Sequence, residues 1–108
     1  MKSGPKNIFE YDNYREFLRD YYSFTKSQNP KFSFRVFARI AGFKAWNVLK
    51  RVMDGDHNLA DQSIAKFAKA LHLNKDESTF FWNLVHLNQA KSHIEKQECA
   101  EQILRLRS

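Results

Sequence analysis

The sequence predicts an all-α fold, on three observations. Apolar residues recur at helical spacing in segment after segment, as in Phe17-Leu18-Tyr21 and Ile64-Phe67-Ala68-Leu71. Helix-start residues precede such segments: Asp12, Ser33, Asp61, Asn74 and Ser92. Chain breakers are few, three Gly and two Pro in 108 residues, which leaves little room for long irregular loops. That length suits one domain with a real core and is too short for two.

Met1 to Asn7 is polar, contains Gly4-Pro5 and is expected to fray. Asp12 is the expected cap of a first helix reaching about Ser27, with Tyr14, Phe17, Leu18, Tyr21 and Thr25 as its inner stripe. At that spacing the tyrosines read as core rather than as a base-stacking surface. Asn29-Pro30 breaks the helix, because a residue before proline avoids the helical region. Ser33 caps a second helix in which Phe37, Ile40 and Ala41 face inward, and Gly42 takes the left-handed turn that ends it. The third helix is expected from Ala45 to Met53, with Leu49 and Val52 inward and Asn47, Lys50 and Arg51 outward, closed by Asp54-Gly55. After a loop from Asp56 to Ala60, Asp61 caps a fourth helix through Leu71. Ala65, Ala68 and Ala70 allow it close packing, and His72 stands where a glycine is common, a point of mild strain. Asn74 with Glu77 forms a capping-box signal for a fifth helix filled by Phe80, Phe81, Leu84, Val85 and Leu87. Ser92 with Glu95 repeats it for a sixth, whose narrow stripe is Cys99, Ile103 and Leu106.

Composition limits the partners. No apolar run reaches the roughly 20 residues of a membrane span, and the N-terminus lacks the layout of a signal peptide. No membrane partner is therefore expected. A single cysteine, Cys99, excludes an internal disulfide and fits a reducing cytoplasm as an inert thiol. Charge is uneven. From Tyr21 to Met53 there is no Asp or Glu, while Lys26, Lys31, Arg35, Arg39, Lys44, Lys50 and Arg51 contribute seven positive charges. That exceeds the net charge of the whole chain, +6, and coincides with the second and third helices. Coincidence of this kind favours phosphate contact over a merely solvated face.

Two short helices joined by a tight turn, the second carrying outward Asn, Lys and Arg, have the layout of a DNA-binding helix-turn-helix. Phe37-Ala38, Ala41-Gly42-Phe43, Leu49, Val52, Gly55, Asn58-Leu59 and Ile64 to Leu73 resemble the repressor-type, XRE-like helix-turn-helix of phage repressors and their bacterial relatives. A wider likeness runs from about Ile8 to Leu106, carried by Phe17-Leu18-Arg19-Asp20-Tyr21-Tyr22, Asn29-Pro30-Lys31-Phe32-Ser33 and Asn88-Gln89-Ala90-Lys91. It is similar to the N-terminal part of a bacterial family of uncharacterised proteins that continue into a larger C-terminal region. The resemblance implies a five-helix lambda-repressor-like domain over residues 8–90. An added C-terminal helix over 91–108 packs on the fifth helix first of all, or leads into that further region, or meets a second copy. It also implies a transcriptional regulator that acts on double-stranded DNA and forms a homodimer mainly through the further region.

The chain departs from the repressor pattern in three places. Phe34 and Arg35 stand where a glutamine usually braces a phosphate contact. The turn before the second motif helix is about one residue longer, and Asp56-His57 occupies a loop that is usually basic.

The second motif helix would enter the major groove, so Lys44, Ala45, Trp46 and Asn47 are base-contact candidates. Asn47 can pair bidentately with adenine or bond its own backbone, and Trp46 can meet a thymine methyl or pack back on the domain. Lys50 and Arg51 suit either guanine or phosphate. Arg35 and Arg39 are positioned for phosphate, with Lys31 weaker. The resemblance adds Asn58 as a phosphate ligand, with His57 beside it, its positive charge greater at low pH.

Catalysis is not expected. There is no glycine-rich phosphate loop, nucleophile elbow or paired metal-binding cysteines, so no cofactor is expected. His57, His72, His86 and His93 fall on different elements. His86 and His93 can approach across a turn, but two histidines without a nearby acid rarely make a metal site. The competing reading is a helical protein-interaction module that keeps the motif as scaffold, favoured by Asp56-His57.

Overall fold

A computed structural model describes residues 7–108. The expected frayed segment, Met1 to Asn7, lies outside the described residues except for Asn7. Among the described residues there is no strand. A 3-10 turn, Ile8–Glu10, precedes six α-helices: α1 (Tyr14–Gln28), α2 (Phe34–Ala41), α3 (Val48–Met53), α4 (Asp61–Ala70), α5 (Lys75–Gln89) and α6 (His93–Arg107). The fold is all-α.

One apolar core runs from Ile8 to Ile103. Tyr14, Phe37, Phe67, Phe80, Phe81, Leu49, Val52, Leu84 and Val85 are fully buried in it, and among the described residues no charged residue is buried. Rings meet edge-on, as in Phe37–Phe67 at 5.0 Å and Phe9–Phe80 at 5.0 Å, the arrangement that ring quadrupoles favour. α2 packs on α3 and α4, α1 on α3 and α5, and α6 on α5.

Long-range polar locks hold α1 to the far end of α5. Asn88 Oδ1 accepts from the Tyr14 amide at 2.8 Å, and Asn88 Nδ2 donates to the Asp12 carbonyl at 3.0 Å. The Tyr14 hydroxyl donates to Gln89 Oε1 at 2.6 Å. That same oxygen accepts from the Leu59 amide, while Gln89 Nε2 donates to the Leu59 carbonyl. Two adjacent side chains thus satisfy buried groups of α1 and of the segment before α4. Arg107, near the end of α6, donates to the carbonyls of Phe9 and Tyr11 and to Asp12 Oδ1.

Several local expectations are corrected. Asn13, not Asp12, caps α1, accepting from the amides of Arg15 and Glu16, and Asp12 instead faces Arg107. Ile40 is 57% exposed. The buried stripe of α2 is Phe37, Ala38 and Ala41, and a turn of about 100° per residue carries Ile40 off its edge. α3 begins at Val48 rather than Ala45, because Ala45 to Asn47 form a turn closed by the Val48 amide on the Ala45 carbonyl. Val48 joins the core. α4 starts after Ala60 without a side-chain cap, Asp61 is its first residue and Ala70 its last. Ala65 is exposed, whereas Ala68 and Ala70 are buried. Tyr21 and Thr25 are half-buried.

Other local signals agree with the coordinates. Ser33 caps α2, Gly42 follows it at φ 83°, and Gly55 follows α3 at φ 84°. His72 sits at φ 59°, the one non-glycine in the left-handed region among the described residues. The Asn74–Glu77 capping box is complete in both directions.

Candidate nucleic-acid interface

The basic span forms α2, the turn after it and α3, with the last turns of α1. Arg35 and Arg39 lie one turn apart on the outer side of α2 and are both exposed. Lys44, Ala45 and Trp46 follow in the turn, exposed, and Lys50 and Arg51 are exposed on α3. Leu49 and Val52, wholly buried, fasten α3 by its inner side and turn those side chains outward.

Within this face the side chains are unequally committed. Asn47 occupies the cap position of α3, yet its side chain makes no capping hydrogen bond. Its amide is not spent on its own backbone. Half-buried, it lines a depression of about 100 Å³ with Ala45, Val48, Arg51 and His57. Lys50 Nζ is 2.6 Å from Asp54 Oδ2. That hydrogen bond, with the charges of Asp54 and Asp56, pushes the Lys50 pKa up, so the ammonium stays protonated but partly neutralised. The Arg35 guanidinium lies over the Trp46 ring, 4.8 Å from its centroid. Arg39 remains exposed beside it.

The loop after α3 is organised from beneath by α1. Arg15 Nη1 donates to the carbonyls of Val52 and His57, at 2.6 and 2.8 Å, and its Nη2 donates to Asn58 Oδ1 at 2.6 Å. Arg19 Nη1 donates to the Met53 carbonyl at 2.7 Å. Of these acceptors, the Val52 and Met53 carbonyls belong to the last turn of α3, where carbonyls lack intrahelical partners, and those of His57 and Asn58 to the loop after it. Oδ1 of Asn58 is thus engaged by Arg15, and its amide N–H groups are open to a ligand. His57 and Asn58 are exposed. Lys66 on α4 adds a further charge, its Nζ 5.1 Å from the centre of the Phe43 ring after α2.

Sequence reasoning did not anticipate Arg15, Arg19 or Lys66. Arg15 was visible only as an ordinary charge on the first helix, since its partners lie 37 to 43 residues away. The histidines do not gather. His86 Nε2 is 3.0 Å from Asp61 Oδ1, at ion-pair distance when protonated though not in hydrogen-bond geometry, and its ring leans on Trp82 at 4.8 Å. His93 is exposed on α6. No cluster of three metal-ligating side chains occurs among the described residues. Cys99 is half-buried, and burial together with Glu95 and Glu98 pushes its thiol pKa up, which disfavours the reactive thiolate. Among the described residues no helix is long and apolar enough to cross a membrane.

A groove lies apart from this face, between α4 and α5. It holds about 570 Å³ and is lined by Ile64, Ala68, Leu73 and Trp82 with Lys69 at its edge. The hydroxyls of its Ser78 and Thr79 already donate to backbone carbonyls, so polar groups do not converge there.

No protein-family model matches the chain, and neither a curated protein nor a solved structure does.

Proposed function

We propose that this chain binds double-stranded DNA in a sequence-dependent way, as the DNA-reading part of a transcriptional regulator, with α3 and the turn before it in the major groove. One observation carries the reading. The acid-free span with its seven positive charges covers the end of α1, α2, the turn and α3, and the helix-start Asn47 on that face keeps its amide uncommitted. An amide of this kind can pair with adenine, and the surrounding Arg and Lys side chains can neutralise phosphates. In this reading Asn47, with Lys44 and Ala45, approaches base edges. Arg51 and Lys50 follow a turn later, and Arg35, Arg39, His57 and Asn58 position the domain on the backbone. Arg15 offsets the missing basic loop by placing a guanidinium under it.

The test is binding to duplexes across a salt series, with selection from random sequence. Affinity should fall with a slope near −0.9 per phosphate neutralised. Asn47→Ala should relax preference at one base pair by about 1–3 kcal/mol, whereas Arg35→Ala should weaken all duplexes alike and flatten the slope. Equal, sequence-blind losses from both would remove Asn47 as a reader. Absence of any duplex binding at low salt would favour the second reading, a protein-interaction module. The feature supporting that alternative is the acid flanking α3: Asp54 ties up Lys50 and Asp56 lies alongside.

A further inference from the structure

We infer that Trp46 is a positioning residue for Arg35, holding its guanidinium flat so that its N–H groups meet a backbone phosphate. This rests on the duplex-DNA reading above.

Trp46 is 45% exposed, although tryptophan is the largest apolar side chain and a deep aromatic core lies close by. It is not a core residue that strayed. The turn fixes its backbone: Val48 N–H closes on the Ala45 carbonyl, and Leu49 anchors the helix that follows. The indole is therefore a platform set by the start of α3. Arg35, in the first turn of α2, reaches across to it at 4.8 Å. The pair joins the beginnings of the two helices that carry the basic face. No carboxylate pairs with Arg35 among the described residues.

In this proposal the guanidinium lies parallel to the ring it covers, and such a stack has a consequence that an ion pair lacks. A guanidinium lying on an aromatic ring is held through its π face, while its donors point outward in its own plane. The attraction orders a long side chain without using any hydrogen bond that a phosphate needs, so less freedom is lost on binding. A lysine at position 35 has no flat face to stack in this way. The arrangement also gives a physical role to two departures from the repressor pattern at once: arginine in place of the bracing glutamine, and the longer turn that brings an indole beside it.

The experiment compares Arg35→Ala, Trp46→Ala, Trp46→Phe and the double alanine variant on one random-sequence duplex over a salt series. All four changes are at exposed or half-held surface positions, and melting curves confirm that each variant is folded. Trp46→Ala should weaken binding about two- to fivefold, the range expected of a solvent-exposed cation–π contact, and Trp46→Phe should restore most of that loss. The double variant should bind no worse than Arg35→Ala alone, since the indole acts only through the guanidinium. Losses that multiply in the double variant would overturn the proposal, because Trp46 would then touch DNA by itself. An unchanged affinity for Trp46→Ala would overturn it too. A separate readout needs no DNA: the Arg35 side-chain protons should be shifted upfield by the indole ring and return on Trp46→Ala. If that shift is present in a protein that binds no duplex, the DNA reading fails and the phosphate role falls with it, while the stacking contact stands.

Discussion

Among the described residues, three α-helices begin at an asparagine, and the three are used differently. Asn13 accepts from two amides of α1, and Asn74 accepts from Glu77 while Glu77 returns the bond to the Asn74 amide. Asn47 at the start of α3 makes no such bond. The helices that follow differ in step: α1 and α5 run fifteen residues each, α3 only six. A short helix without its own cap is not self-sufficient, since most helical stability comes from tertiary packing. α3 is held from outside, by the burial of Leu49 and Val52 and by Arg15 and Arg19 on its last carbonyls. The lesson is a division of labour. Where an asparagine closes its helix it serves the scaffold, and where the rest of the molecule does that work the same residue type is left available.

The sharpest way to break this comparison is to remove the outside support. Leu49→Ala should cost about 2–5 kcal/mol of folding stability, measured by denaturant unfolding, because a fully buried leucine leaves a cavity. A loss below that of capping mutants would show that α3 stands without its packing. On the scaffold side, Tyr14 gives a pH-dependent test. Burial pushes its pKa up from 10.0 to about 12, against a smaller opposing effect of Arg15. A raised value means that the fold favours the neutral phenol. Its contribution is complete below pH 10 and is lost as pH rises through about 12. Stability should therefore fall by about 2–3 kcal/mol over that window from this group. In Tyr14→Phe the decline should be shallower by that amount, and an identical decline would refute the assignment. The smallest effect is the most direct. Asn74→Ala should lose about 1 kcal/mol, whereas Asn47→Ala should stay within about 0.5 kcal/mol of wild type. Equal losses would mean that Asn47 caps its helix after all.

Much of the scaffold was legible because its signals are local. The capping box at Asn74, the serine caps at 33 and 92, the left-handed glycines and the strained His72 are all short-range features. The inner stripes of α4 and α5 follow from spacing alone. The errors came where two local options compete or where distance decides. Asp12 and Asn13 are both good caps, and the choice falls to Asn13 while Arg107 engages Asp12. Ile40 was misplaced because on an eight-residue helix the small Ala38 shifts the buried stripe away from it. On the candidate interface, the exposed side chains from Lys44 to Arg51 could be named from the sequence. Their commitments could not, because Arg15 reaches Asn58 across 43 residues and Trp46 meets Arg35 only once the turn is built.

The locks between Tyr14 and residues 88–89 also bear on the order in which the protein can take shape during synthesis. Tyr14 and its hydrogen-bond partner Gln89 are 75 positions apart. At ribosomal speeds of roughly 5–20 residues per second, α1 waits roughly 4–15 s for that partner to be made. Until Phe81 is made, Phe17 lacks the ring that packs against it. α1 is thus fully secured only after the end of α5 has been made, although α3 can pack on it earlier.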